Sequence, residues 1–443
     1  YTVLTDTKHI FGFQHAAHVL SQKLAKDGGA SLASVVNAVS AKLSIKAMIA
    51  MNKAVAIDKK SPEDVASVRQ ARSRAQVVAI RELEPVAEPS LPNAFLDRRK
   101  IAGPYRRAQI TVRFPIDNIG ANLPTLVATV AGNIYDLGEM TGVKLMSLHL
   151  PPDYVRAFDL PRQGVAGTRA LTGRAAGPIL GTIIKPNVGL TPEQTAATVA
   201  TLCEAGVDFI KDDEVMANPP NAPLAQRVAQ VMKVIEAHAQ RTGRKVMYAF
   251  NISDETDAMR RHAEMVEAAG GTCVMASLNW CGYSAIQSLR RATPLALHGH
   301  RNGLAAMTRH PMLGIDFNAY QVLWRLAGVD QLHVNGLGGK FYETDESVVA
   351  SARACLQPLA GGDAVMPVFS SGQWAGTVPA TFAAVGSDDL IFLSGGGILG
   401  HPDGPAAGVQ SIRDAWEAAR SGVPLPRHAQ THPALAAALD FYG

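Results

Sequence analysis

Four consecutive charged residues, Lys211-Asp212-Asp213-Glu214, follow a strand-like segment and form a dense cluster of ionisable side chains. Alternation along a strand places Lys211 and Asp213 on one face, and Glu214 turns in with the following loop. Carboxylate oxygens suit a hard cation such as Mg2+, which takes few protein ligands and keeps positions open for substrate oxygens. An amine ligates Mg2+ poorly, so Lys211 must pair with the carboxylates or be converted to an oxygen ligand. The alternative interpretation is a structural ion pair.

Two turns of small residues are candidates for binding phosphate, Ser370-Ser371-Gly372 and Gly395-Gly396-Gly397. Small residues leave backbone N–H groups open to an anion, and (β/α)8 barrels commonly bind phosphate after their last two strands. The alternative for the glycines is a tight turn that needs positive φ. Arg301, through its bidentate fork, and His333 are candidates to hold a second anionic group. The alternative for Arg301 is a salt bridge on the rim.

Strand-like segments with helical segments between them must position these groups. There are eight: Ile179–Ile184, Val207–Ile210, Lys245–Phe250, Thr272–Ala276, Leu295–His298, Gln331–Val334, Val365–Phe369 and Leu390–Leu393. Apolar residues between Leu224 and Ile235 recur at helical spacing, and Thr191 with Gln194 forms a predicted capping box. The alternation predicts a (β/α)8 barrel. An open doubly wound sheet is the competing arrangement, but it lacks the Gly-rich phosphate fingerprint after its first strand.

A barrel of this kind carries its catalytic groups at the C-terminal ends of its strands. The predicted strand ends deliver Lys185, Lys211 to Glu214, Asn251, His298, His300, Arg301, His333, Ser370 to Gly372, and Gly395 to Gly397. One polar residue at a strand end is commonly structural. A succession of them on one rim predicts an active site.

The N-terminal part of the chain is predicted to form a separate α+β unit. Its segments are helix-like runs over Phe13–Leu24 and Leu32–Leu43, strand-like runs over Val77–Ile80, Ile110–Phe114 and Val143–Leu150, and an apolar helix over Leu123–Leu137. The Gly-rich stretch Gly164–Gly177 is interpreted as a linker. We therefore expect an α+β domain over residues 1–165 and the barrel over residues 166–443, with a C-terminal helical tail.

Composition limits the partners and the compartment. The 443 residues carry a net charge of +4, which gives no concentrated basic patch for nucleic acid or a membrane surface. The four cysteines have no CxxC or metal-ligand spacing, which is typical of a reducing compartment. No apolar run approaches the roughly 18 residues of a spanning helix, and no signal-peptide pattern is present. A cytoplasmic location is expected.

At the residues described above the chain resembles the large subunit of ribulose-bisphosphate carboxylase (RuBisCO), and most of all the RuBisCO-like proteins. The resemblance covers about residues 77–420 and rests on six ordered segments: GTIIKPNVGL at 181–190, GVDFIKDDE at 206–214, LHGHR at 297–301, residues 333–340, PVFSSG at 367–372 and GGGILGHP at 395–402. Residues 1–75 do not match the family. The resemblance implies a barrel preceded by a ferredoxin-like α+β domain, and a homodimer or a higher multiple of dimers with shared active sites.

The resemblance also implies a role for each matched residue. Lys211 would react with CO2 as its neutral amine, and the resulting carbamate would hold Mg2+ together with Asp213 and Glu214. Lys185 would donate protons to an enediolate and accept them from it, and His300 would lie beside the metal-bound oxygens. The implied substrate contacts are Arg301, His333 and Ser370 at one phosphate end, Gly372, Gly396 and Gly397 at the other, and Asn133, which would reach the partner subunit's site.

Departures from the carboxylase pattern are equally informative. Asn187 replaces a second lysine, Leu304 replaces a histidine, and Trp374 stands where carboxylases have a histidine. In the family's mobile loop a glutamate follows the lysine that matches Lys340, which is the implied catalytic residue. Here that glutamate, Glu343, stands further along the chain than expected. The enolising residues are therefore retained, and the residues that carboxylases use around CO2 are altered.

These residues predict a Mg2+-dependent RuBisCO-like enzyme that stabilises an enediolate of a phosphorylated ketose or sugar acid. The favoured reaction is decarboxylation of a phosphorylated 3-oxo sugar acid in carbohydrate catabolism, not photosynthetic CO2 fixation. The His300-Arg301 pair favours this over the enolases of methionine salvage, which tend to lack it. Three alternatives stay open: an enolase or isomerase of a phosphorylated ketose, a true carboxylase, and a non-catalytic phosphometabolite-binding protein.

Overall fold

A computed structural model describes residues 75–443 and two short strands, Thr2–Val3 and Val19–Leu20, which pair antiparallel. Val19–Leu20 lies inside the helix predicted over Phe13–Leu24, so that prediction is wrong at these two residues. The rest of that helix, and the helix predicted over Leu32–Leu43, lie outside the described residues.

Packing divides the chain into two units. The described part of the first unit comprises the two short strands Thr2–Val3 and Val19–Leu20, residues 75–118 and residues 137–141. Its strands Gln76–Val86 and Tyr105–Arg113 pair antiparallel, with helix Ala94–Arg99 between them in sequence. Asn93 caps that helix by accepting from two backbone N–H groups. Both helix and strand are therefore present, as predicted, and the ferredoxin-like arrangement stays a prediction.

The second unit, residues 119–136 and 142–443, contains the predicted barrel. Its strands are β1 Ile179–Ile183, β2 Phe209–Lys211, β3 Met247–Asn251, β4 Cys273–Ser277, β5 Ala296–His300, β6 Gln331–His333, β7 Met366–Phe369 and β8 Ile391–Leu393. Each strand pairs parallel with the next along the chain, and β8 pairs with β1 to close the barrel. The fold prediction is confirmed, with every strand end within two residues or so of its expected place.

Apolar side chains fill the inside of the barrel. Phe209, Met247, Met275 and Met366 are fully buried in one cluster with smaller residues from neighbouring strands. Burial of this core leaves the polar residues at the C-terminal strand ends, where they face a common mouth.

Helices connect the strands and flank the barrel. In the second unit they are Leu123–Ala131, Pro152–Val155, Gly164–Thr172, Pro192–Ala205, Leu224–Thr242, Thr256–Ala268, Leu278–Cys281, Tyr283–Ala292, Ala305–Thr308, Phe317–Leu326, Asp345–Leu356, Val378–Val385, Gly396–Leu399, Gly404–Arg420, Leu425–His428 and Pro433–Tyr442. The predicted capping box of Thr191 and Gln194 is confirmed. The C-terminal helical tail, which is part of the expected domain division, stays a prediction. Within residues 75–443, none of the helices has the length and apolarity needed to span a membrane.

The predicted linker over Gly164–Gly177 is wrong, because residues 164–172 form a helix. The buried carboxylate of Asp330 accepts hydrogen bonds from the backbone N–H groups of Gln163 (2.6 Å) and Gly164 (3.0 Å) and so holds the start of that helix. Gly173, with φ of 67°, ends it.

Two predicted elements before the barrel are shorter than expected. The helix predicted over Leu123–Leu137 ends at Ala131, and a 3-10 turn, Asn133–Asp136, follows Gly132. Of the predicted strand Val143–Leu150, only Lys144–Leu145 pairs, parallel to Gly314–Ile315. These residues pack with the barrel unit; the domain boundary expected at residue 165 stays a prediction.

Candidate active site

Lys211 is the last residue of β2, and its side chain is only 1% exposed. Its Nζ donates to the backbone carbonyl of Asp212 at 2.9 Å and lies 3.6 Å from Oε2 of Glu214. Burial lowers the pKa of Lys211, and the attraction of Glu214 and Asp213 opposes this shift. The chain thus holds an amine with an increased neutral fraction beside two carboxylates.

Lys185 approaches the same carboxylates from the end of β1. Its Nζ donates to Oδ2 of Asp213 at 2.9 Å and to the amide oxygen of Asn187 at 2.8 Å. Nε2 of His300, at the end of β5, lies 3.4 Å from Oε2 of Glu214. Five sequence-predicted residues from three strand ends therefore make direct contacts, Lys185 with Asp213, and both Lys211 and His300 with Glu214.

Asp212 has a different surrounding from its neighbours. Its carboxylate accepts from Arg227 (Nη2 at 3.2 Å), from the hydroxyl of Tyr248 (2.5 Å) and from the backbone N–H of Asn251 (2.9 Å). The structural ion pair that the sequence left open is thus made by Asp212 with Arg227, whereas Asp213 and Glu214 face Lys185 and Lys211.

Replacing Arg227 with methionine is expected to lower the free energy of unfolding by about 3–5 kcal/mol, because it leaves the Asp212 carboxylate buried without its cation. Denaturant unfolding measures the change. Arg260→Met is the control: the Arg260 side chain is 47% exposed, and its loss should cost no more than about 0.5 kcal/mol. Equal effects of the two substitutions would contradict this role for Arg227.

Asn251, at the end of β3, supports the acidic residues from behind. Its Nδ2 donates to the backbone carbonyls of Asp213 (3.0 Å) and Glu214 (3.1 Å). Its side-chain oxygen accepts from the backbone N–H and the hydroxyl of Ser253. The sequence placed Asn251 at a strand end but gave no sign of this positioning role, which depends on contacts across neighbouring strands.

A chain of hydrogen-bonded histidines runs along β5 and β6. Nδ1 of His298 lies 2.8 Å from Oε1 of Gln331, and its Nε2 lies 2.8 Å from Nε2 of His333. Nδ1 of His333 lies 3.2 Å from the hydroxyl of Ser370. An amide oxygen only accepts, so His298 donates from Nδ1, its Nε2 accepts from His333, and Ser370 donates to His333.

The histidine chain is held in the uncharged state. Burial lowers the pKa of His298 to about 3. Burial is also the main reason that the pKa values of His300 and His333 lie well below the usual range, with positively charged neighbours adding to the shift. His333 and Ser370 therefore present uncharged groups at neutral pH.

The free energy of unfolding should fall as the pH is lowered from about 6.5 toward about 3. The unfolded chain protonates His298 near 6.5, and the folded chain does so only near 3. Stability is therefore complete above the unfolded value and is lost with a slope of up to about 1.4 kcal/mol per pH unit for each such histidine. In His298→Gln the free energy of unfolding should depend less steeply on pH than in the wild type. The control His149→Gln, at an exposed position, should keep the wild-type slope.

Arg301 follows β5 and forms an ion pair with Glu343. Its Nη2 donates to Oε2 of Glu343 at 2.8 Å, and both side chains are 9% exposed. The guanidinium also lies 5.2 Å from the ring centre of Phe317. The salt bridge that the sequence left as the alternative for Arg301 is therefore present, and it is buried.

The two phosphate-loop candidates differ in backbone geometry. Gly372 has φ of 80°, and a Cβ there would meet only open space. Gly395 has φ of −83°, and the run continues into the helix Gly396–Leu399, so no left-handed turn explains it. A Cβ on Gly397 would lie 2.5 Å from Oγ of Ser394, whereas a Cβ on Gly396 would be unobstructed. Close packing explains Gly397, and an open backbone remains at Gly396.

Two predicted site residues have no place in the contacts described above. Asn133 begins the 3-10 turn Asn133–Asp136 and is exposed. Lys340 is exposed in the segment between β6 and the helix Asp345–Leu356, with its Nζ 5.8 Å from the ring centre of Phe341. Their roles stay predictions.

Comparison with known protein families identifies the family of the chain. Residues 164–442 match the profile of the ribulose bisphosphate carboxylase large chain, catalytic domain. The chain therefore belongs to the RuBisCO large-chain family, as the motifs predicted. Residues 1–68 match a different profile, the substrate-binding domain of an ABC-type glycine betaine transport system. This match covers too little of the chain to show that the chain belongs to that family.

Two relatives that cover most of the chain are named for their reactions. The chain is 48% identical to a 3-oxo-isoapionate-4-phosphate transcarboxylase/hydrolase of Xanthobacter autotrophicus, over 84% of this chain and 89% of that protein. It is 44% identical to a 3-oxo-isoapionate-4-phosphate decarboxylase of Rhizobium rhizogenes, over 84% and 88%.

Solved structures place the chain among the RuBisCO-like proteins. A RuBisCO-like protein from Burkholderia fungorum is 63% identical, with a TM-score of 0.85 over 87% of this chain and 97% of that one. A dimeric archaeal RuBisCO from Hyperthermus butylicus is 28% identical, with a TM-score of 0.75 over 88% and 94%.

Proposed function

We propose that this protein is a decarboxylase of a phosphorylated 3-oxo sugar acid, with 3-oxo-isoapionate 4-phosphate as the first substrate to test. The observation that carries the proposal is the buried Lys211 beside Asp213 and Glu214, with Nζ of Lys185 at 2.9 Å from Asp213. The names of the relatives from Xanthobacter and Rhizobium support the substrate class.

Lys211, Asp213 and Glu214 would hold the cation, for which Mg2+ is the best candidate. The donor set fits once Lys211 carries a carbamate, because all three ligands are then oxygens. The lowered pKa of Lys211 supports this step, since burial favours the neutral amine that reacts with CO2. When bound, the cation supplies electrostatic stabilisation of negative charge on substrate oxygens.

Loss of CO2 from a 3-oxo acid breaks the bond to the carboxyl carbon, and the electron pair passes to the neighbouring ketone as an enolate. The former α carbon must then gain one proton. Lys185 is the proposed donor, because its Nζ is held at the site by Asn187 and Asp213. Asn251 fixes the backbone that carries the two carboxylates, and His300 would hydrogen-bond substrate oxygens as an uncharged group.

Phosphate is proposed to bind at the backbone N–H groups of Gly372, Gly396 and Gly397, after β7 and β8. The open space at Gly372 and Gly396 supports this, since an anion can approach the backbone there. Ser370 and His333 are proposed substrate contacts on the other side, and Lys340 is a proposed catalytic residue of the segment between β6 and the helix Asp345–Leu356.

We also propose a homodimer, or a multiple of dimers, in which Asn133 reaches the partner's site. The family membership and the dimeric archaeal RuBisCO support this assembly. A cytoplasmic location is the corresponding proposal for the compartment.

The reaction is tested by giving the purified protein, with Mg2+ and bicarbonate, a panel of three substrates: the 3-oxo sugar-acid phosphate, ribulose bisphosphate and a phosphorylated ketose of methionine salvage. We expect CO2 release from the first alone. Transfer of the carboxyl group without release of CO2 would instead indicate the transcarboxylase/hydrolase reaction named for the Xanthobacter relative. Fixation of labelled CO2 onto ribulose bisphosphate would contradict the proposal.

A further inference from the structure

The Arg301–Glu343 ion pair lies where the sequence predicts a second anion-binding site. Arg301 follows β5 directly after His300, whose ring centre lies 4.5 Å from that of the buried His333. His333 in turn accepts the hydroxyl hydrogen of Ser370. The three residues implied to contact one phosphate are thus near one another, and Arg301 is the one that carries a full positive charge.

Glu343 is held in place by more than Arg301. Its Oε2 also accepts from Nδ2 of Asn335 at 2.7 Å, and its Oε1 accepts from the hydroxyl of Ser347 at 2.8 Å. Glu343 directly precedes Thr344, the N-cap of the helix Asp345–Leu356, where a negative charge is favourable. The carboxylate is therefore positioned by neutral donors and a helix end, independently of any ligand.

We propose that Glu343 is a specificity-determining residue, whose carboxylate occupies the second anion subsite so that the barrel accepts substrates with one phosphate and discriminates against bisphosphates. A phosphate arriving at Arg301 would meet the Glu343 carboxylate, or would have to displace it from three donors. Because Glu343 already balances the charge of Arg301, Arg301 offers little electrostatic attraction to an incoming phosphate.

The subsite at the other end has no such obstruction. The backbone at Gly372 and Gly396 is open, with nothing within 4 Å of a Cβ built at either. One phosphate can therefore bind there, whereas a second phosphate near Arg301 is repelled by the Glu343 carboxylate. This inference deepens the proposed function, on which it rests for the placement of substrate in the barrel mouth, and it defines the substrate as a sugar-acid monophosphate.

The test is a binding measurement that needs no turnover. Isothermal titration calorimetry with Mg2+ and bicarbonate compares ribulose monophosphate with ribulose bisphosphate on wild-type protein, Glu343→Gln and the control Glu346→Gln. Glu346 is exposed in the first turn of the same helix. Wild type and the control should bind the monophosphate at least about tenfold more tightly, and Glu343→Gln should reduce that preference about tenfold or more, since it removes the opposing charge.

Equal or tighter binding of the bisphosphate by wild-type protein would overturn the inference, whatever the variants do. An unchanged preference in a folded Glu343→Gln would overturn it as well. Absence of decarboxylation combined with the expected binding pattern would instead count against the proposed reaction and leave the role of Glu343 standing, so the two failures are distinguishable.

Discussion

Replacement of Lys211 by alanine is expected to lower kcat/KM for CO2 release by about 10³-fold or more, because it removes the residue that completes the oxygen ligand set. Lys211 is buried against Glu214 and Asp213, and a methyl group supplies neither a charge nor an oxygen. Steady-state assays with saturating Mg2+ and bicarbonate measure the loss.

Two further variants separate cation binding from general damage. Lys211→Glu keeps an oxygen ligand at the position, so it should retain more divalent-cation binding than Lys211→Ala in equilibrium dialysis. Lys233→Ala, at an exposed position of the helix Leu224–Thr242, should leave both activity and cation binding unchanged. Full activity in a folded Lys211→Ala would remove the carbamate from the mechanism.

Replacement of Lys185 by methionine is expected to lower kcat by about 10²–10⁴-fold, the usual contribution of a positioned general acid or base. Its Nζ contacts Asp213 and Asn187, and methionine keeps most of the length of the side chain without the amine that carries the proton. The uptake of solvent deuterium into product should fall in parallel with kcat.

Ligand affinity distinguishes this proton-transfer role from a structural one. The dissociation constant of inorganic phosphate should change little in Lys185→Met, because phosphate is proposed to bind at Gly372, Gly396 and Gly397. A Lys185→Met protein that releases CO2 and takes up deuterium at the wild-type rate would assign proton transfer to another group. Lys233→Met serves as the control for the substitution itself.

The barrel and the cluster around Lys211 were predictable from sequence for the same physical reason. Parallel strands buried on both faces appear as short apolar runs, and the polar residues directly after them must gather at one rim. Lys185, Lys211, Asp213, Glu214 and His300 follow that rule, and the structure joins them.

Features that depend on distant partners were not predictable. Glu343 lies 42 residues from Arg301 along the chain, and neither position shows that the two charges pair. The helix Gly164–Thr172 was interpreted as a linker because the stretch is rich in glycine. The start of this helix is held by Asp330, which lies more than 160 positions further along the chain. Gly397 was interpreted as a phosphate-binding candidate with a tight turn as the alternative, and neither interpretation shows that a Cβ there would lie 2.5 Å from Oγ of Ser394. In each case a contact made by folding decides the local structure.

The central claim is that the site removes a carboxyl group and then protonates the carbon left behind. The most direct measurement uses 3-oxo-isoapionate 4-phosphate labelled with carbon-13 at the carboxyl group, in deuterated water with Mg2+ and bicarbonate. We predict labelled CO2 in a one-to-one ratio with a product that carries one deuteron at the former α carbon. Conversion to a product that keeps the carbon-13 label, with no labelled CO2 released, would instead contradict decarboxylation.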